Sequence, residues 1–299
     1  MQNIRIKQSD GFSIVELLVC LLIMVPIMGA AVSLFSVGAK QQASEQNSVD
    51  SNQEARSGLE IMTSEISQAG SHGDHATTTS GSVTGNASST QSVAVASNVG
   101  FNVGDYVDVD TDASRESVKI TAVTTGQLTA IFRKTHNSGI PIRLFALPYT
   151  TGVIRPAGLG TNASTNVATL QFFGDVNGDG NLAYVEYVYD SANAQITRSV
   201  TPITQTSKNT ALTLVSNIKA NTAQFMLQTD SQSVVTSVTV KMTVRNTVKT
   251  GSGFEETALS SKIIIPSAIA ASALFAQNQI NGGINLLPPT PSQVATWAQ

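Results

Sequence analysis

From Leu17 to Ala39 the chain carries no charged side chain. At about 1.5 Å per helical residue that run is long enough to cross a hydrocarbon core roughly 30 Å thick. The pattern then changes from continuous to periodic. Ala55, Leu59, Met62, Ile66 and Ala69 recur at helical spacing, with Glu54, Arg56, Glu60 and Glu65 between them. This predicts an amphipathic helix whose apolar stripe packs on a sheet. Gly70, followed by Ser71-His72-Gly73, closes the pattern in the manner of a C-terminal glycine cap. Residues 12 to 69 therefore read as one helix: a transmembrane segment over 12–39 and an amphipathic segment over 40–70. Pro26 is the expected kink, because proline removes a backbone donor and clashes with the preceding turn.

Beyond the helix the apolar period shortens to two. Residues 71–92, dominated by the Ser, Thr and Gly run from Thr77 to Ser92, predict a flexible loop. Residues 93–147 hold short β-forming stretches at 106–109, 117–123, 128–132 and 140–145, punctuated by Val103-Gly104-Asp105 and Thr124-Thr125-Gly126. They predict an inserted β module, a small barrel or meander. Residues 148–265 predict the sheet of a head. Its C-terminal strands are Ala223 to Leu227, Val234 to Val244 and Leu259 to Ile265, with Val238, Val240, Met242 and Val244 facing the long helix. In 266–299, Ser267 to Gln279 predicts a short helix and Leu287-Pro288-Pro289-Thr290-Pro291 an extended tail. The fold class is α+β: a long N-terminal helix packed on an antiparallel sheet, with a small β module inserted.

Composition narrows the function classes. The formal net charge is −3 over 299 residues, so a broad nucleic-acid-binding surface is not expected. The single cysteine, Cys20, lies in the apolar run. No intrachain disulfide can form, and the staple of many small secreted domains is missing.

Glu16 is the only charge within the apolar region that follows Gly11-Phe12. A carboxylate at the centre of a membrane helix is disfavoured by about 2.5–3.5 kcal/mol; near the helix end the cost is lower, yet the charge still calls for a partner. If the chain is cut between Gly11 and Phe12, the new α-amino group is a cation about one turn from Glu16. The segment Gly11-Phe12-Ser13-Ile14-Val15-Glu16-Leu17-Leu18-Val19 resembles the type III leader of the type IV pilins and type II secretion pseudopilins. The resemblance covers the first 30 or so residues and rests on Gly11, Phe12 and Glu16. It implies that residues 1–11 are a leader removed by a membrane prepilin peptidase, which then methylates the Phe12 amine. It also implies that Glu16 meets a neighbour's amine during assembly. The implied partners are other pilin subunits, the peptidase/methylase and an inner-membrane assembly platform, with the head in the periplasm. In that family a proline in this helix marks a bend or a melted stretch, but Pro26 lies earlier than the usual position. A secretory signal cut near Ala30 or Ala31, after Met28-Gly29-Ala30-Ala31, is the competing reading. Against it, this apolar stretch exceeds the usual h-region of about 7–15 residues and contains Glu16.

A second motif runs Asp175-Val176-Asn177-Gly178-Asp179-Gly180-Asn181-Leu182-Ala183-Tyr184-Val185-Glu186. It fits the D-x-[DN]-x-[DN]-G-x₅-E calcium loop at every defined position. Asp175, Asn177 and Asp179 are candidate side-chain ligands, Asn181 a carbonyl ligand and Glu186 a bidentate carboxylate, for one structural Ca²⁺. The flanks, rich in β-formers, are not EF-hand helices, so the loop joins two strands. A hairpin turn without an ion is the other reading. A similar hairpin recurs in PilW-type minor pilins, and that resemblance favours calcium.

No catalytic constellation stands out. There is no Gly-Lys pair and hence no Walker A loop, and His72-Gly73-Asp74-His75 reads as a solvated loop. No enzyme is expected. Three function classes follow: a structural minor pilin or pseudopilin of a pilus or secretion filament; a membrane-anchored or secreted calcium-binding β protein; and an adhesin or DNA-uptake pilin using the inserted module. The lack of a basic, aromatic-lined stripe in the sequence argues against DNA.

Overall fold

The computed structural model describes residues 13–145, 148–149, 152–246, 253–280 and 287–298. The chain is α+β, with one long apolar N-terminal helix and antiparallel β-sheets. Its contacts divide it into two compact units. One comprises the chain up to Asp50 together with Asn246–Glu255; the other comprises Ser51–Arg245 and Glu256–Gln299.

Helix α1 spans Ile14–Ser67 and continues through Pro26. In the first unit Asn246 donates from Nδ2 to the Ser44 carbonyl at 2.8 Å and to Ser44 Oγ at 3.1 Å, all buried. In the second unit the expected stripe is the buried one: Ala55, Met62, Ile66 and Ala69 are fully inaccessible. Gly70 adopts φ +73° and ends the helix. Its amide turns outward to donate to the Phe173 carbonyl at 2.7 Å. A side chain could not follow, since a Cβ on Gly70 would stand 3.0 Å from the Gly152 backbone, in a conformation L-residues rarely adopt.

The Ser/Thr/Gly run is the expected loop only in part: residues 79–90 lie outside the strands, with isolated bridges at Thr79 and Val83. Its residues supply strands β1 (Ala76–Thr78) and the start of β2 (Gln91–Ala94). With β3 (Tyr106–Val109), β4 (Glu116–Thr124), β5 (Gln127–Ala130) and β6 (Pro141–Leu144) they build a six-stranded sheet in the order β1-β6-β3-β4-β5-β2. The sheet curls until its edges meet: Thr79 bridges Val95, and the Ser80 and Ala96 amides donate to the Ala94 and Thr78 carbonyls. The module is thus a small barrel with its own core, including Val93, Val107, Val109, Ile120, Leu128, Phe132 and Ile142. The run looked disordered because its Thr and Ser side chains point outward or bond locally, while the few inward residues, Thr77, Thr79 and Val83, are too sparse to show a period.

The head contains two sheets where one was expected. Strands β7 (Val153–Ile154), β9 (Thr169–Gly174), β10 (Ala183–Asp190), β11 (Gln195–Pro202) and β12 (Leu212–Val215) form the first, ordered β12-β11-β10-β9-β7. Strands β8 (Ser164–Val167), β13 (Gln224–Thr229), β14 (Val235–Arg245) and β15 (Glu256–Ile264) form the second, ordered β15-β14-β13-β8. Both share one core with the stripe of α1, and Val238, Val240, Met242 and Val244 lie in it as the alternation of β14 predicts. Helix α2 (Pro266–Ile280) contributes Ala268 to that core.

Residues 287–291 carry neither helix nor strand, and a helix that the sequence pattern did not predict follows them. Ser292–Trp297 forms a short helix, α3. Val294 and Trp297, three residues apart and therefore on one face, close a separate apolar cluster with Tyr149, Phe173, Leu182 and Tyr184.

Candidate functional site

Gly11 and Phe12 lie outside the described residues. Glu16 lies in the first turn of α1, whose start is capped by Ser13: Val15 N–H donates to Ser13 Oγ at 3.3 Å. The unpaired amides and the dipole of a helix N-terminus favour a carboxylate there. Around and beyond Glu16 the apolar side chains stand exposed on every side of the helix; Ile14 is 81% accessible, Leu22 77% and Phe35 81%. Cys20 shares this exposed surface. The helix is long and apolar enough to cross a membrane, and none of its most apolar stretch is covered by the rest of the described chain.

The aspartate-rich motif is a β9–β10 hairpin. Gly174 pairs with Ala183, leaving residues 175–182 as the connection. Asp175 organises it, accepting the Asp179 amide at 3.1 Å and the Gly180 amide at 3.0 Å on its two oxygens. Asp179 accepts the Asn181 amide at 2.8 Å. Gly178 and Gly180 take φ of +67° and +83°, which the tight turn requires. From the neighbouring segment, His75 Nε2 reaches the Gly180 carbonyl at 2.5 Å.

Of the five residues read as calcium ligands, Glu186 stands apart from the four that lie in the connection. Glu186 pairs with Gln171 in mid-strand, four residues past the end of the loop, or roughly 13 Å at a strand's rise per residue. In a calcium loop followed by a helix, the twelfth residue coils back toward the ion; a strand carries it away. Its carboxylate is already engaged, accepting from Lys208 Nζ at 2.9 Å, Tyr184 Oη at 2.9 Å and Gln171 Nε2 at 3.1 Å. Burial alone would raise the Glu186 pKa, but these three donors outweigh it and hold the carboxyl below its ordinary value. Among the described residues no three His, Cys, Asp or Glu side chains are grouped as a metal would need. The geometry therefore does not bring Glu186 into the calcium set expected from spacing.

The histidines expected in a solvated loop are docked. His72 and Asp105 are both almost fully buried and meet at 3.0 Å, and Tyr149 stacks on the His72 ring at 5.1 Å between centroids. Burial, then the nearby Asp105 charge, pushes the Tyr149 hydroxyl pKa up. His136, inside the barrel, lies between Asp110 at 3.0 Å and Glu116 at 2.7 Å. These contacts attach the barrel to the head and tie its own loops together. A cleft of about 910 Å³ lies between barrel residues Val99–Val103, the hairpin tip at Asp179 and Asn181, and the Pro289–Gln293 segment.

One cluster escaped the sequence reading. Glu65, assigned to the polar face, is buried; it accepts from Arg198 Nε at 3.0 Å and also binds Arg198 Nη2 and the Tyr187 hydroxyl. Hydrogen bonding to Glu65 raises the Arg198 pKa against the cost of burial. Tyr187 is raised first by burial and then by the Glu65 charge. A signal was present: Glu65 is three residues after Met62 and four before Ala69, the spacing that puts it on their face.

Comparison of the chain with protein families, with characterised proteins and with solved structures finds no match.

Proposed function

We propose that this chain is a structural subunit of a type IV pilus or a type II secretion-like filament, a minor pilin or pseudopilin. In this reading the leader is cut between Gly11 and Phe12, and the apolar half of α1 is held in the inner membrane with the β head in the periplasm. The helix then passes into the core of the fibre. The observation that carries the reading is the placement of Glu16: one acid in the first turn of a helix whose apolar half has no cover within the described chain. Covering that half requires lipid or the helices of neighbours. Each subunit offers one acceptor, Glu16, and one donor, the Phe12 amine. Repeated head-to-tail pairing of that kind generates an open helical fibre. The partners are other pilin subunits, the prepilin peptidase and the assembly platform, and no catalytic step is assigned to the chain.

The test is Glu16→Val in the full chain. Membrane insertion is expected to persist, since the change removes a charge from an apolar helix, while recovery of the subunit in sheared filaments falls to background. Recovery at the unmutated level would overturn the reading. Mass spectrometry of the mature N-terminus gives an independent check: N-methylated Phe12 is expected, and a start at Ala31 or Val32 would return the chain to the secreted class.

A further inference from the structure

Among the described residues the head has four sheet edges, and three are short: β12 and β8 have four residues each and β7 has two. The fourth, β15, has nine. Short edges are a common guard against pairing with another chain; proline, bulges and covering elements are others. β15 has no proline, and its register with β14 runs without a bulge from Glu256 to Ile264.

Its outward hydrogen-bonding groups, which no other described strand takes up, follow from two contacts. The Ile265 amide donates to the Thr236 carbonyl at 3.0 Å, and the Asn246 amide donates to the Glu255 carbonyl at 2.8 Å. Both contacts continue the β14–β15 register, so the odd-numbered residues of β15 direct their backbone toward β14. By the alternation of an antiparallel ladder, Glu256, Ala258, Ser260, Lys262 and Ile264 direct theirs away from it. These five residues are exposed, and no other described strand pairs with them.

The charges on this edge select an occupant. Glu256 and Lys262 are six positions apart, with Leu259 midway. When a second copy of β15 is laid antiparallel with Leu259 opposite Leu259, each Glu256 faces the other copy's Lys262, and Ala258 faces Ser260. That register also brings the outward-directed residues opposite one another as hydrogen-bonded pairs. Shifting it by two residues, the smallest step that preserves the bonding, breaks both charge pairs. We propose that β15 is a self-pairing edge, through which two copies of this chain join their four-stranded sheets about Leu259. Pairing through β15 needs neither leader cleavage nor Glu16, so it stands apart from the filament reading.

The experiment measures self-association of the full chain in detergent micelles by sedimentation. The unmutated chain is expected to form dimers. Lys262→Glu places like charges opposite each other at both ends of the seam, and should weaken association by about tenfold or more. Glu256→Lys combined with Lys262→Glu should recover it to within a few-fold, although Glu256→Lys also gives up the exposed 2.7 Å pair with Lys219. In a Cys20→Ser background, Leu259→Cys should give a disulfide-linked dimer on mild oxidation, because the central pair is the close, non-hydrogen-bonded kind. Lys241→Cys, on the exposed face of β14, should not. Circular dichroism confirms that each variant is folded. A monomeric unmutated chain, a dimer indifferent to Lys262→Glu, or a double variant that stays as weak as the single one would each overturn the proposal.

Discussion

Along α1 the residues Leu22 and Phe35 stand 77% and 81% exposed, while Met62 and Ile66 on the same helix are fully buried. The first half is apolar all round and has no stripe; the second half has a stripe and a polar face. A helix that is apolar on every side needs a surrounding medium or several neighbours, whereas a striped one needs a single surface. The two acids divide in the same way. Glu16 lies at an exposed helix start, while Glu65 is held by Arg198 and Tyr187. One helix thus carries a half that the described chain leaves uncovered and a half built for the chain's own core.

The sharpest way to break this comparison is to truncate one apolar side chain in each half. Met62→Ala should cost the head about 2–5 kcal/mol, the range for emptying a packed site, read as a lower denaturant midpoint. Leu22→Ala should leave that midpoint unchanged, because Leu22 is exposed. A loss of similar size from both would erase the distinction. Next in size is Glu65→Ala, expected to cost about 3 kcal/mol because it strands the Arg198 charge and the Tyr187 hydroxyl in a mostly buried site. Glu65→Ala with Arg198→Met should recover part of that loss, which a purely steric role for Glu65 would not allow.

The smallest effect expected concerns pH. Since Glu186 has a lowered pKa in the folded chain, the unfolded chain binds more protons in acid. Its contribution is present above the ordinary glutamate value of roughly 4.3 and is lost as pH falls through the lower folded value. The group is half-exposed, so the contribution is about 1 kcal/mol or less. Lys208→Ala should flatten that part of the acid unfolding curve by lowering the stability at neutral pH by about 1 kcal/mol or less, with little change at the acid end. An acid limb identical in the variant would show that the Lys208 contact contributes nothing.

Sequence alone determined the elements whose signal is local. The apolar run, the 3.6-residue stripe, the Gly70 stop and the alternation in β14 each express a rule that acts within a few neighbouring residues, and each appears where expected. The full match to a calcium loop was local as well, yet it misled at Glu186: the motif fixes spacing along the chain, while the conformation after the loop fixes position in space. Only the tertiary structure decided what depends on distant partners. The two ends of the Ser/Thr/Gly run became barrel strands because β6 and β5 supplied backbone partners that its own composition does not advertise. Glu65 became a core residue because Arg198, on β11, was there to meet it. β15 lies at an edge among the described strands because the sheet order ends there, and strand order is set by which faces can be buried together, a property no single segment carries.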